Sequence, residues 1–280
     1  LALICTTTCS EWKRAGSLPE ILEIEYYRRS AESVLGRKIV AVAAPDDWFL
    51  KGVSATDVCA ALVGTSFVSF RRRGKLMLCD TAAGPVLGLR YGMTGRVIVD
   101  GGAPIEKLEY GPGRNDPAWI RLAVSFGEGR LEISDPRRLG GVSLDPDEDA
   151  LGPDAWSISE QELHEALGTG ARRRSTMALK ARLLDQKRLA GLGNLLSDEI
   201  LWRTGLAPER PAAELSGDDV ALLADAIVST LDELSARGGS HTGDLQEERN
   251  PDGRCPRDGA ELRRAEVGGR TTWWCPEHQV

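Results

Sequence analysis

The apolar pattern changes its period once along this chain, and that change limits the fold more than any single motif. Between residues 36 and 145 the apolar positions fall in short, roughly alternating runs broken by Gly, Pro and Asp. They predict strands over 38–44, 64–71, 75–80, 86–90, 96–99, 120–126 and 131–134, the pattern of a sandwich or barrel-like sheet pair. From residue 156 the period becomes helical. Ser159 and Glu162 form a capping box ahead of Leu163 and Leu167, since each side chain can take the other's free N–H. Further helices are expected over 175–185, 195–204 and 216–236, the last ended by Gly238-Gly239. The acidic, Pro- and Gly-containing stretch 145–155 separates the two regions. Strands and helices are segregated, so the expectation is an α+β, two-domain chain, which suits a length of 280 residues.

Upstream of the strands, residues 20–35 read as one amphipathic helix, with Ile21, Ile24, Tyr27 and Leu35 on one side and Gly36 as its stop. Pro19 stands at its start, where a missing N–H costs nothing, and Glu20, Glu23 and Glu25 suit the helix dipole. An ordinary helix start accounts for all of this.

The formal charge of −7 weighs mildly against nucleic acid, but clustered basic residues can still bind it. No apolar run reaches the roughly 18–20 residues of a membrane span. Leu1–Cys5 is too short for a signal peptide. Cys5, Cys9, Cys59 and Cys79 are scattered, as in a reducing cytoplasm. Cys255 and Cys275 differ. Cys255 and Asp258, then sixteen residues, then Cys275 and His278, place two ligand pairs on the knuckles of a hairpin, a spacing able to close a zinc site. A metal-free hairpin packed by Trp273 and Trp274 is the other reading. Arg270 falls near the hairpin turn, within reach of a phosphate.

Three more stretches carry possible chemistry. In the run 183–194, Gly191 and Gly193 precede a helix start, where free N–H groups make a ready phosphate site. Lys180, Lys187, Arg188 and Asn194 are suitable helpers, although a plain helix–turn–helix link would use the same glycines. Arg71-Arg72-Arg73-Gly74-Lys75 reads in isolation as a solvated loop. Asp135-Pro136-Arg137-Arg138-Leu139-Gly140 presents cations and an apolar residue in a tight turn, one way to wedge into a base stack.

Taken together and in order, these stretches resemble the bacterial formamidopyrimidine-DNA glycosylase / endonuclease VIII family. The matching stretches are the Pro19–Arg29 opening, Arg72-Arg73-Gly74-Lys75-Leu76, Tyr91-Gly92-Met93-Thr94-Gly95, the Asp135–Gly140 turn, the Ala190–Leu201 run and the tail to Gln279. The resemblance implies an N-terminal helix plus β-sandwich, then a helix–two-turn–helix domain with a C-terminal zinc-finger hairpin. The divisions expected are 1–18 as a non-native or unstructured extension, 19–148 catalytic, 149–240 DNA-binding and 241–280 zinc-finger. It also implies base-excision repair of damaged double-stranded DNA with β/δ AP lyase activity, by a monomer in the bacterial cytoplasm without membrane attachment. Pro19 would be the Schiff-base nucleophile, with Glu20, Glu23 and Lys75 completing the catalytic set. Met93, Arg137, Leu139, Lys180, Asn194 and Arg270 would bind DNA. Cys255, Asp258, Cys275 and His278 would hold one structural Zn²⁺.

The departures from the family pattern are Leu22 for a proline, Leu139 for a phenylalanine wedge, and Asp258 and His278 for two cysteines. A segment from Gly239 to Cys255 shorter than in 8-oxoguanine-specific members, whose lid lies there, makes an endonuclease VIII-like preference an equal expectation. Two rivals stand beside the enzyme: a damaged-DNA or abasic-site binding protein of the same fold that does not cut, and a non-DNA zinc protein sharing only the tail. Within a peptide, the nitrogen of Pro19 is an amide and cannot form an iminium. The enzyme reading therefore expects residues 1–17 to be absent from the mature chain, with Leu18 as a misread start.

Overall fold

The structure, a computed structural model, describes residues 19–105, 116–169 and 176–280. The expected extension over 1–18 lies outside them, as does residue 175, where a helix was expected to begin.

Helix α1 spans Ile21–Ala31, and a separate 3₁₀ turn, Glu32–Val34, follows it. The single helix expected over 20–35 is thus two pieces, and Leu35 is exposed rather than on the buried face. Pro19 is not the first helical residue either. Glu20 is the N-cap with extended backbone, so Pro19 stands one residue outside. Glu23 closes the turn by accepting the Glu20 N–H at 2.9 Å, which satisfies one of the donors a helix start leaves free.

Two four-stranded antiparallel sheets follow. One contains β1 (Ile39–Ala43), β6 (Ile120–Phe126), β7 (Arg130–Ser134) and β5 (Arg96–Val99), in that spatial order. The other contains β2 (Phe67–Arg73), β3 (Leu76–Thr81), β4 (Leu87–Arg90) and β8 (Gly141–Leu144). Phe67, Leu87, Leu122, Val124 and Ile133 share one core with Ile24 and Tyr27 of α1. Two elements of this region add to those expected. Helix α2 (Ala55–Leu62) starts at a capping box in which Ser54 Oγ accepts the Asp57 N–H and Asp57 accepts the Ser54 N–H. Strand β8 has only four residues and is held by its ladder to β4.

The second half contains α3 (Glu160–Leu167), α4 (Leu179–Leu183), α5 (Asn194–Thr204) and α6 (Gly217–Arg237). Helix α4 is shorter than expected because the chain turns at Asp185, whose carbonyl accepts from Arg188 and Leu189 N–H at 2.8 and 2.9 Å. The tail is the expected hairpin, β9 (Arg263–Val267) and β10 (Arg270–Trp274), turning on Gly268 and Gly269.

Helix α1 serves two cores. Ile21 and Leu22 are fully buried with Leu183, Leu192 and Leu196 in the helical half, one turn away from Ile24 and Tyr27 in the sandwich. Each such side chain contributes about 1.5–3 kcal/mol on burial, so Leu22 is a packing residue of the helical core. The arginine run at the end of β2 is no solvated loop. Arg71 pairs with Asp80 and Glu148, Arg72 with Asp154 at 2.6 Å, and Arg73 donates to the Leu151 and Gly152 carbonyls. The Arg72 and Arg73 bonds fasten the sandwich to the helical half. Among the described residues no helix is long and apolar enough to cross a membrane.

Candidate functional site

The start of α1, the β2–β3 turn and the turn before α5 meet at one point. Pro19 is buried there, next to Glu20. The Glu20 carboxylate accepts N–H bonds from Gly193 at 2.6 Å, Leu195 at 2.8 Å and Leu196 at 3.4 Å. The Gly191–Asn194 turn is therefore not the open phosphate cradle its sequence suggested, because an internal carboxylate already caps α5. Gly193 makes this approach possible, since a Cβ there would lie 2.6 Å from Glu20 Oε2 and nearer still to Cδ and Oε1. Glu23 reaches the other way. Its Oε1 accepts the Ser240 N–H at 2.9 Å and hydroxyl at 2.8 Å, just beyond α6.

Gly74, at φ +55°, presses on the same turn, where an added Cβ would sit 2.6 Å from Ala190 Cβ and 2.9 Å from Gly191 N. This seats Lys75 beside Glu20 and Glu23. Burial raises the Glu20 pKa above the usual carboxylate range, against the opposing pull of Lys75 and the bound N–H groups. Burial lowers the Lys75 pKa against the same two carboxylates, and nearby Arg270 lowers it further. The site thus favours a carboxyl that can hold a proton and an amine that can give one up. Asn194 opens α5 half-buried, and its Oδ1 is buried without a hydrogen-bond partner among the described residues. Arg270 is exposed at the start of β10.

Lys180 does not join this face. Its side chain is fully buried, with Nζ 2.6 Å from Asp198 and bonded to the Thr271 carbonyl and the Thr272 hydroxyl. The expectation that it binds DNA is corrected: it ties α4 to α5 and to the hairpin.

Met93, Arg137 and Leu139 are brought together by two turns. Asp135 accepts from the Thr94 hydroxyl at 2.5 Å and from the Gly140 N–H at 2.8 Å. Gly92 packs directly on the Leu139 backbone. Leu139 and Arg137 project into solvent, and Met93 is half-buried. Arg138 is not part of the set, because its guanidinium is spent on Asp46 at 2.5 and 2.7 Å.

The four tail residues converge as their spacing predicted. One ligand atom from each of Cys255, Asp258, Cys275 and His278 lies within 4.8 Å of the others, a group able to hold a metal ion. His278 Nε2 faces the Trp202 carbonyl at 3.1 Å, which assigns the proton to that nitrogen and leaves Nδ1 a lone pair toward the cluster. Nδ1 lies 3.0 Å from Asp258 Oδ2. Donation from the Ala260 N–H holds the Asp258 pKa below the usual range. An ionised carboxylate and an imidazole lone pair aimed at one point are reconciled by a cation between them.

Sequence reasoning missed four supporting residues. Asp135 and Asp154 had a signal, since an aspartate at a turn commonly binds the backbone two residues on. Gln186, whose side chain spans the Leu184 and Leu192 carbonyls and the Gly191 N–H, and Ser240 had none.

A β-sandwich joined through its first helix to a helix–two-turn–helix unit, with a Cys/His hairpin behind it, defines the class of helix–two-turn–helix proteins. The formamidopyrimidine-DNA glycosylase N-terminal domain profile matches residues 18–142, and that of the formamidopyrimidine-DNA glycosylase H2TH domain matches residues 151–245. Formamidopyrimidine-DNA glycosylases of Carboxydothermus hydrogenoformans and Gluconobacter oxydans are 31% and 33% identical, in each case over 94% of this chain and the full length of the relative. The Lactococcus lactis protein in complex with Fapy-dG-containing DNA superimposes with a TM-score of 0.77 at 27% identity, covering 93% of this chain and 99% of that one. Its complex with abasic-site DNA gives the same values. The chain belongs to the formamidopyrimidine-DNA glycosylase family.

Proposed function

We propose that this protein is a bifunctional DNA glycosylase and AP lyase that removes oxidised bases from double-stranded DNA. The observation that carries the proposal is the burial of Pro19 beside Glu20 where the three elements meet. As a free secondary amine, the nitrogen of Pro19 attacks C1′ of a flipped nucleotide and the base leaves. Ring opening, with Glu20 giving a proton to the sugar oxygen, forms an iminium between Pro19 and C1′. The iminium acidifies C2′. Loss of that proton expels the 3′ phosphate, and a second elimination expels the 5′ phosphate. Glu23 supports the proton transfers. Lys75, Asn194 and Arg270 hold phosphates, while Met93, Arg137 and Leu139 fill the space the nucleotide leaves. The division 19–148, 149–240 and 241–280 is retained, with α1 shared between the first two.

Two thiols, a carboxylate and an imidazole whose far nitrogen is hydrogen-bonded form a donor set suited to Zn²⁺. When bound, that ion supplies a cross-link that sets the hairpin and Arg270. Borohydride trapping on an abasic-site duplex tests the function. A chain beginning at Pro19 is expected to give a covalent adduct that Pro19→Gly abolishes. The opposing outcome of the same assay is a non-cutting lesion binder of the same fold. Tight binding without an adduct from the chain beginning at Pro19 would establish it.

A further inference from the structure

Beside the Asp135–Gly140 turn stands a second small turn that the proposed mechanism does not use. It is the 3₁₀ turn Asp47–Phe49, whose start is capped by Asp46 accepting the Trp48 N–H at 3.2 Å. Trp48 is 67% exposed, the most exposed Phe, Tyr or Trp among the described residues. An indole this exposed presents a large apolar face, with an N–H at its edge, to whatever docks there.

The turn is built onto its neighbour. Asp46 grips Arg138 through both carboxylate oxygens and lies 3.3 Å from Arg121. Phe49 lies under Gly140, where an added Cβ would meet its Cζ at 3.0 Å. The Lys51 N–H donates to the Val142 carbonyl at 2.8 Å, and the Lys51 stem lies over Gly141. Lys51 Nζ then folds back, 2.7 Å from the Trp48 carbonyl and 5.2 Å from the centre of the indole ring. Trp48 and Lys51 are thus held at a fixed offset from Arg137 and Leu139, on the same pair of turns.

We propose that Trp48 and Lys51 form a second hold on the nucleic acid. The indole stacks on a base flanking the lesion, and the ammonium contacts the adjoining phosphate. The pairing of an exposed aromatic face with a cation is what grips an unstacked strand. It also supplies what the neighbouring turn lacks, since Leu139 fills space but has no π face to stack. The inference rests on the DNA-repair reading above.

Fluorescence anisotropy with a duplex carrying a tetrahydrofuran abasic analogue tests it. Trp48→Ala is expected to weaken binding about tenfold and Trp48→Phe by less than about threefold, as stacking predicts. Lys51→Ala is expected to flatten the dependence of log affinity on log salt by about one phosphate contact, while Trp48→Ala leaves that slope unchanged. In the wild-type protein, the fluorescence lost in Trp48→Phe is expected to be shielded from acrylamide by the duplex. Wild-type binding with an unaltered Trp48→Ala affinity, or an indole equally open to quencher in the complex, would overturn this inference alone. A wild-type chain with no affinity for the duplex would overturn the DNA reading itself.

Discussion

Replacing Gly193 by alanine isolates the contact on which the site is built. The backbone of Gly193, at φ −120° and ψ −163°, is open to any residue, so the substitution adds no backbone strain. Its whole effect is the new methyl group, 2.6 Å from Glu20 Oε2. The carboxylate must move, and with it go the bonds from Gly193 and Leu195 N–H at 2.6 and 2.8 Å. Hydrogen bonds to a charged group contribute about 1.5–3 kcal/mol each, so losing both costs about 3–6 kcal/mol. Protonation of a carboxyl that burial already biases toward its neutral form returns part of this, leaving a destabilisation of about 3 kcal/mol. Denaturant unfolding measures it, and a cycle with Glu20→Ala checks the cause. In the double variant the methyl fills vacated space, so the double variant should be no less stable than Glu20→Ala alone. A Gly193→Ala protein within about 0.5 kcal/mol of wild type, the ordinary range for a surface change, would refute the reasoning.

Three further outcomes are expected. Lys180→Ala should destabilise by about 3–5 kcal/mol, because it removes one partner of a buried pair, yet leave the salt dependence of DNA binding by the folded protein unchanged, since the ammonium does not face solvent. Arg203 and Arg237 hold the Glu233 carboxyl at about 2, below its ordinary 4.5. A depressed carboxylate stabilises the fold above its unfolded pKa, so the advantage of wild type over Glu233→Gln should be present at pH 6 and shrink as pH falls from about 4.5 toward about 2. For an exposed cluster it should not exceed about 1 kcal/mol, as read from urea midpoints at each pH. Elemental analysis should find about one zinc per chain, lost in Cys255→Ser, and a chelator should lower the melting temperature of wild type but not of that variant.

Local signals in the sequence held up where the partner residue was near. Ser159 and Glu162 are three apart and form the expected capping box, and the paired spacing of Cys255–Asp258 and Cys275–His278 closes as expected. Helix α2 was legible by the same rule from Ser54 and Asp57, but its short length inside a β-rich stretch hid it. What could not be read were contacts between distant segments. Nothing near Gly193 announces that its N–H belongs to a carboxylate 173 residues upstream. Lys180 looks like a surface cation until Asp198, Thr271 and Thr272 are placed around it. The Arg71–Arg73 run looks solvated until Asp154 and the 151–152 carbonyls arrive from the next half.

The division of α1 between two cores has a consequence for how the protein is made. Synthesis delivers the first turn of α1 before any of its partners. Glu20 then waits for the α5 amides, and Glu23 for the Ser240 N–H, 217 residues later. A nascent chain can complete the sandwich while its opening turn still lacks the surface that fixes it. A chain released early from the ribosome therefore lacks the Gly193, Leu195 and Ser240 donors that fix the carboxylates of its opening turn.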